Sequence, residues 1–339
     1  MFFDNVTIEA VAYELGPHRI TSASLEGQIA GTMERLGISP GHLENLTGIR
    51  ERRFWDPGVQ PSEAATLAAR KLIDESGIDP NEIGCLVNTS VSKDFIEPSV
   101  ASLVHGNLKL SPLCLNFDIG NACVGFLNGM QTVGMMIDSG AIKYGLVVCA
   151  EGSRDGVEAT IRRLQSPTTT PDEYRLNFAS LTIGSGAVAM LLTHKKYSRT
   201  DHTVNGFVNM AATEHNRLCT ATPTEMITYA AELMHAGFTL GGRTWKLASE
   251  TLKNWSDETI DRYIPHQVSV RQIKGMAQVL RVTPEKIQLN VARLGNMGAA
   301  ALPITLAMAE QENKIKSGHH VGLLGIGSGL NCSIMSVSW

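Results

Sequence analysis

Short, continuous apolar runs alternate along this chain with longer stretches in which apolar residues recur every three to four positions. The continuous runs are IGCLVNTS (83–90), YGLVVCAE (144–151), GAVAMLLT (186–193), RYIPH (262–266), HVGLLGIG (320–327) and CSIMSVSW (332–339). Their length and composition suit strands buried on both faces. The periodic stretches include SEAATLAARKLIDESG (62–77), CVGFLNGMQTVGMMIDSG (123–140) and LPITLAMAEQENK (302–314), which predict helices with an apolar face. Buried strands alternating with helices predict an α/β fold with a largely parallel sheet.

The order of these parts repeats. DPNEIGCLVNTSVS (79–92) and SDETIDRYIPHQVS (256–269) each follow a helix, 177 residues apart. NACVGFLNGM (121–130) and GNMGAAALPI (295–304), 174 residues apart, each open a helix that leads into a buried strand. Gly184-Ser185-Gly186 and Gly327-Ser328-Gly329, 143 residues apart, each precede a further apolar run. Recurrence in the same order predicts a duplicated architecture, with a shorter second copy. The join is expected in the polar stretch HKKYSRTDHT (194–203), giving halves 1–198 and 199–339. Duplication sets equivalent loops of the two halves face to face. Cys123 and Asn296 then occupy equivalent helix starts, and His266 ends the strand equivalent to IGCLVNTS.

With 339 residues, the chain is long enough for two domain-sized halves. Its 43% hydrophobic and 18% charged residues fit a globular protein, and a net charge of −4 without any basic block argues against nucleic acid or an anionic membrane as partner. The start, MFFDNVTIEAVAYEL, lacks a basic region followed by an apolar core. No apolar run approaches the roughly 20 residues of a membrane span. Six cysteines, at 85, 114, 123, 149, 219 and 332, are scattered without a CxxC pair, so neither a disulfide framework nor a zinc site is expected. Most read as small buried hydrophobes in a reducing cytoplasm.

Cys123 differs, because a helix follows it directly. The positive end of the helix dipole and the free N–H groups there are expected to lower its pKa below the ~8.5 of a free thiol. His266, in Ile264-Pro265-His266-Gln267, ends a strand, where an imidazole can act as acid, base or oxyanion donor. Asn296 lies between Gly295 and Met297-Gly298, a setting that equally suits a turn or helix cap. Gly325-Ile326-Gly327-Ser328-Gly329 follows a strand, but no Lys-Ser/Thr follows it, so it reads poorly as a phosphate loop and better as a source of backbone N–H groups for an oxyanion.

Five motifs in order, TGIRERR (47–53), NACVGF, IPHQ, GNMGAA and GIGSGLN, resemble the β-ketoacyl-ACP synthase III branch of the thiolase superfamily, nearly end to end. The resemblance implies two βαβαβαββ halves in a five-layer αβαβα arrangement, working as a homodimer. It implies acyl transfer and condensation by Cys123, His266 and Asn296, with an oxyanion hole from the backbone N–H groups of Cys123 and Ser328. The run KDFIEPS (93–99) and HNRLC (215–219) are most similar to the head-to-head acyl-CoA condensing enzymes of olefin biosynthesis. By that resemblance Glu97, reaching into the neighbouring subunit, removes a proton α to a thioester. The implied reaction joins two fatty acyl-CoA molecules without decarboxylation to a 2-alkyl-3-ketoacyl product, which becomes a β-keto acid on hydrolysis. Coenzyme A thioesters are its substrates, no permanent cofactor is involved, and olefin-pathway enzymes are possible downstream partners. Arg50, Arg52, Arg53 and Arg217 are candidates for the CoA phosphates by charge alone. The alternatives are a decarboxylating synthase III using malonyl-ACP, a hydroxymethylglutaryl-CoA synthase type, and a silent scaffold with the same fold.

Overall fold

The computed structural model describes residues 1–339. Nine strands form the main sheet. They are β1 (Val6–Leu15), β2 (Ile83–Asn88), β3 (Leu115–Asp118), β4 (Tyr144–Glu151), β5 (Gly186–His194), β6 (Thr203–Ala211), β7 (Arg262–Pro265), β8 (His320–Gly327) and β9 (Asn331–Ser338). Their spatial order is β7-β8-β9-β6-β1-β5-β4-β2-β3.

That order contains one pattern twice. In the first half β1 pairs antiparallel with β5, β5 antiparallel with β4, β4 parallel with β2, and β2 parallel with β3. In the second, β6 pairs antiparallel with β9, β9 antiparallel with β8, and β8 parallel with β7. The counterpart of β3 has shrunk to a single parallel bridge between Tyr263 and Ile287. The parallel pairs require crossover connections, which the helices supply. The halves meet where Thr7 of β1 pairs with Thr203 of β6.

The unequal spacing of the repeats has a physical origin. Between β4 and β5 the first half inserts residues 152–185, including helices Arg154–Leu164 and Pro171–Asn177, whereas β8 turns into β9 within three residues.

The helices occupy three layers. Outer helices α1 (Pro61–Ser76) and α2 (Val100–Leu108) cover one face of the first half. Helices α4 (Ala230–Thr251) and α5 (Val270–Leu280) cover the second half from outside. Between the two halves of the sheet run α3 (Gly125–Asp138) and α6 (Ala301–Gln311); α6 touches β1 and β5 of one half and β7 and β8 of the other. These two helices meet apolar surface on more than one side, so their apolar residues are not confined to a stripe. Leu302, Ile304, Leu306, Ala307 and Ala309 of α6 are all buried. At about 1.5–3 kcal/mol for each large aliphatic side chain, this central layer is a principal source of stability. The arrangement is the five-layer αβαβα thiolase fold. No helix is long and apolar enough to cross a membrane.

Strands β1 and β6, the first of each half, do not stand out as apolar runs, since Glu9, Asn205 and Asn209 interrupt them. Pairing rescues them: Glu9 is buried against Ser198 and Arg199, which donate to its carboxylate at 2.7–3.0 Å.

Candidate active site

Cys123 sits on a 3-10 turn, Ala122–Val124, immediately before α3. Ala122 has a φ of +44°, a left-handed conformation that costs an L-residue about 1–2 kcal/mol. The surroundings hold it there. Asn121 donates from Nδ2 to Asn128 Oδ1 at 2.7 Å and accepts from Asn331 Nδ2 at 3.0 Å. Asn128 in turn donates to Gln131 Oε1, and Gln131 donates to Ser333 Oγ at 2.8 Å. This carboxamide chain ties the turn to α3 and to β9, beside a cavity of about 340 Å³ lined by Asn121, Val124, Asn128 and Asn209. From below, Gly327 of β8 meets the turn with backbone alone.

His266 follows the last residue of β7, and its own N–H donates to Leu324 O of β8 at 2.8 Å. The strand that carries Gly327 beneath Cys123 therefore also positions the histidine. Its Nδ1 is sealed from solvent without a partner. Burial holds the imidazole pKa down, to about 4, so it is neutral at physiological pH. With no acceptor at Nδ1, the ring hydrogen belongs on Nε2, the nitrogen left to act as a donor.

Asn296 bridges to the first half through its backbone. Its N–H donates to Thr182 O at 2.9 Å and its carbonyl accepts from Gly184 N–H at 2.8 Å. A side chain on Gly184 would collide with the Leu294 carbonyl, so the close approach needs glycine. The Asn296 Oδ1 accepts from Gly298 N–H at 3.0 Å. That bond orients the amide and leaves its NH2 as a donor. The turn after Asn296, Gly298–Ala300, packs on the Cys123 turn.

The structure thus assembles the turns bearing Cys123, Asn296 and Ser328 and the strand end at His266. Ser328 is the first residue of the β8–β9 turn, directly after Gly327. Glu97 lies on the connection between β2 and α2. It is exposed, on a segment (89–99) outside the regular elements, and forms no hydrogen bond or ion pair.

Two expectations are corrected. The Cys123 thiol is not acidified by the helix start; it is pushed up to about 12, chiefly because burial penalises the thiolate, with the nearby Glu151 carboxylate adding to the effect. The free N–H groups of one turn do not offset that loss of water. Arg52 is 0% exposed and cannot reach a CoA phosphate. Its guanidinium donates to Ser22 Oγ at 3.1 Å and Leu181 O at 2.9 Å, and its Cβ lies under Gly184 and Gly295. Arg50 and Arg217 are exposed.

Sequence reading missed Glu151 and the Asn121–Asn128–Gln131 chain. The signals were present: a carboxylate closes the otherwise apolar run YGLVVCAE, and Asn128 and Gln131 share one helix face at a spacing of three. No group of three or more His, Cys, Asp or Glu side chains is arranged to hold a metal ion.

Residues 117–208 match the family model described as 3-oxoacyl-[acyl-carrier-protein (ACP)] synthase III, and residues 251–339 match its C-terminal counterpart. The chain is 39% identical to an acyl-CoA:acyl-CoA alkyltransferase of Xanthomonas campestris and 38% identical to one of Shewanella oneidensis, covering all of both chains in each case. A crystal structure of X. campestris OleA with bound lauric acid and lauroyl-CoA superposes with a TM-score of 0.97 at 39% identity, over 99% of this chain and 100% of that one. Other structures of that protein carry substitutions at a cysteine, a histidine and a glutamate. With relatives matched from end to end in both sequence and structure, the chain belongs to the acyl-CoA:acyl-CoA alkyltransferase (OleA) family, in the 3-oxoacyl-ACP synthase III branch of the thiolase fold.

Proposed function

We propose that this enzyme condenses two fatty acyl-CoA molecules head to head, without decarboxylation, as the first step of long-chain olefin formation. The observation that carries the reading is the assembly of a partly buried cysteine turn, a neutral histidine and an oriented asparagine amide in a member of this family. Residue spacing supports the roles. The glutamate substituted in the X. campestris structures precedes the substituted cysteine by 26 positions, as Glu97 precedes Cys123 here. The histidine follows that cysteine by 142 positions there, and His266 follows Cys123 by 143 here.

Cys123 attacks the thioester carbon of the first acyl-CoA. The carbon–sulfur bond to CoA breaks, and CoA leaves as the thiol with the proton Cys123 gave up. The backbone N–H groups of Cys123 and Ser328 stabilise the oxyanion. A second acyl-CoA then loses an α-proton to Glu97. The enolate oxygen accepts from His266 Nε2–H and the Asn296 NH2. The carbanion attacks the Cys123 thioester, a carbon–carbon bond forms, and the cysteine sulfur leaves and regains a proton. The 2-alkyl-3-ketoacyl-CoA is hydrolysed to a β-keto acid.

Glu97 serves the neighbouring subunit of a homodimer. Its segment exposes two large apolar side chains, Phe95 at 56% and Ile96 at 98%. Strand β3 beside it has an open edge, a surface suited to a second copy. We place the boundary between halves at 198/199, supported by the repeated strand order on either side of the 195–202 connection. A cytoplasmic location is supported by six free thiols.

The test is product analysis by mass spectrometry with lauroyl-CoA alone, then with malonyl-ACP added, for wild type and Glu97→Ala. Condensed product from lauroyl-CoA alone, lost in the variant while Cys123 still acylates, is expected. Product only with malonyl-ACP, unaffected by the substitution, returns the enzyme to decarboxylating chemistry.

A further inference from the structure

Glu151 closes β4, whose eight residues are all buried, and is itself 5% exposed. A carboxylate in such a place is retained only if its oxygens are well satisfied. Oε1 accepts from Val91 N–H at 2.9 Å; Oε2 accepts from Ser92 N–H at 3.0 Å and Ser92 Oγ at 2.8 Å. On its other side, Oε1 lies 3.1 Å from where a Cβ on Gly298 would stand, and the Ala299 N–H adds a further attraction. The Trp55 Nε1–H donates to Glu151 O at 3.1 Å, fixing the backbone from a third direction. The titratable neighbours are thiols: Cys149 donates from Sγ to Oε1 at 3.8 Å, and Cys123 feels the charge.

Val91 and Ser92 begin the segment that carries Glu97. Gly298 and Ala299 follow Asn296. We propose that Glu151 is a positioning residue for condensation: one carboxylate clamps the Glu97 segment to the Asn296 turn, holding the two in a fixed relation. The inference rests on the roles of Glu97 and Asn296 given above. In a dimer where Glu97 crosses to the neighbour, the clamp links the asparagine of one site to the base of the other. Acylation of Cys123 needs neither group, so the clamp bears on the second half-reaction. Glutamine at 151 keeps the shape but turns an NH2 toward donors that need an acceptor.

The full-length enzyme is compared with Glu151→Gln, Glu151→Asp and Ser92→Ala, using lauroyl-CoA. For Glu151→Gln, condensation falls on the order of 100-fold, mostly in kcat rather than KM, while Cys123 acylation falls far less. Cys123 alkylation at pH 9 quickens, because a negative charge beside the thiol has gone. Glu151→Asp recovers part of the condensation rate and restores the alkylation rate; Ser92→Ala is intermediate. Amide hydrogen exchange in 91–99 and 296–300 quickens together in Glu151→Gln. Wild-type condensation in Glu151→Gln, or equal losses in acylation and condensation with a lowered Tm and no change in the alkylation rate, overturns the proposal. Unchanged exchange in both segments overturns it as well, and that readout holds whether or not the wild type condenses lauroyl-CoA. Absence of product from the wild type counts instead against the function proposed above.

Discussion

Gly327 lies directly against the backbone of Cys123: a Cβ at position 327 would stand 2.9 Å from the Cys123 amide nitrogen and 3.2 Å from that of Val124. Both atoms are backbone on a constrained turn, so neither can move aside. Gly327→Ala is expected to destabilise the protein by about 1–3 kcal/mol through overpacking and to displace the Cys123 amide, proposed above to serve the oxyanion. Thermal unfolding, with intact-mass detection of the lauroyl adduct on Cys123, reads both effects. A variant with wild-type Tm and acylation would show that the turn is free to retreat.

The Cys123 thiol is expected to be protonated at neutral pH in the resting enzyme, because burial and Glu151 push it up to about 12. Its alkylation by iodoacetamide should rise steadily from pH 7 to pH 10 without levelling. A plateau near pH 7 would reveal a preformed thiolate and contradict this. The thiolate must otherwise arise as the substrate binds, since a thiol is a poor nucleophile.

His266 makes stability depend on pH in a defined direction. Its native pKa, about 4, lies below the 6.5 of the free side chain. The unfolded state therefore takes up a proton first as pH falls, and stability is lost between 6.5 and 4. A shift of that size corresponds to roughly 3 kcal/mol for a residue only 2% exposed. His266→Gln, which cannot titrate, should lose less stability than wild type between pH 7.5 and 4.5 in urea titrations. Parallel curves for the two proteins would refute the assignment.

Glu97 acting across the dimer predicts complementation. Glu97→Ala and Cys123→Ala are each expected to be inactive in condensation. A mixed pair, co-expressed and purified through two tags, should regain activity, because one site combines the intact cysteine of one chain with the intact glutamate of the other. No recovery in a verified mixed pair would place Glu97 in its own chain's site. Ile96→Glu should weaken self-association in sedimentation experiments, by setting a charge in the exposed apolar segment.

Much of this protein could be read from its residues alone. The wholly or largely buried strands β4, β5 and β8 are continuous apolar runs, and α3 and α6 are periodic stretches, because burial demands those patterns whatever surrounds them. Cys123, His266 and Asn296 stand out as candidates because each sits in a short motif at an element boundary, and the order of five motifs is specific. Strands β1 and β6 were not legible: their polar residues are compensated by partners about 130 or 190 positions away, such as Ser336 for Asn205 and Arg199 for Glu9. The helix start behind Cys123 suggested an acidic thiol, but only tertiary packing sets the amount of water removed, and here desolvation outweighs the dipole. Charge alone made Arg52 a candidate for phosphate binding, and the surrounding backbone instead buries it as a brace. Glu151 was a carboxylate at the end of an apolar run until folding brought the segments 91–92 and 298–299 to either side of it. Local pattern determines which elements form and which residues are capable of chemistry. The pKa values, the braces and the meeting of distant turns depend on desolvation and proximity, which only the folded arrangement of both halves decides.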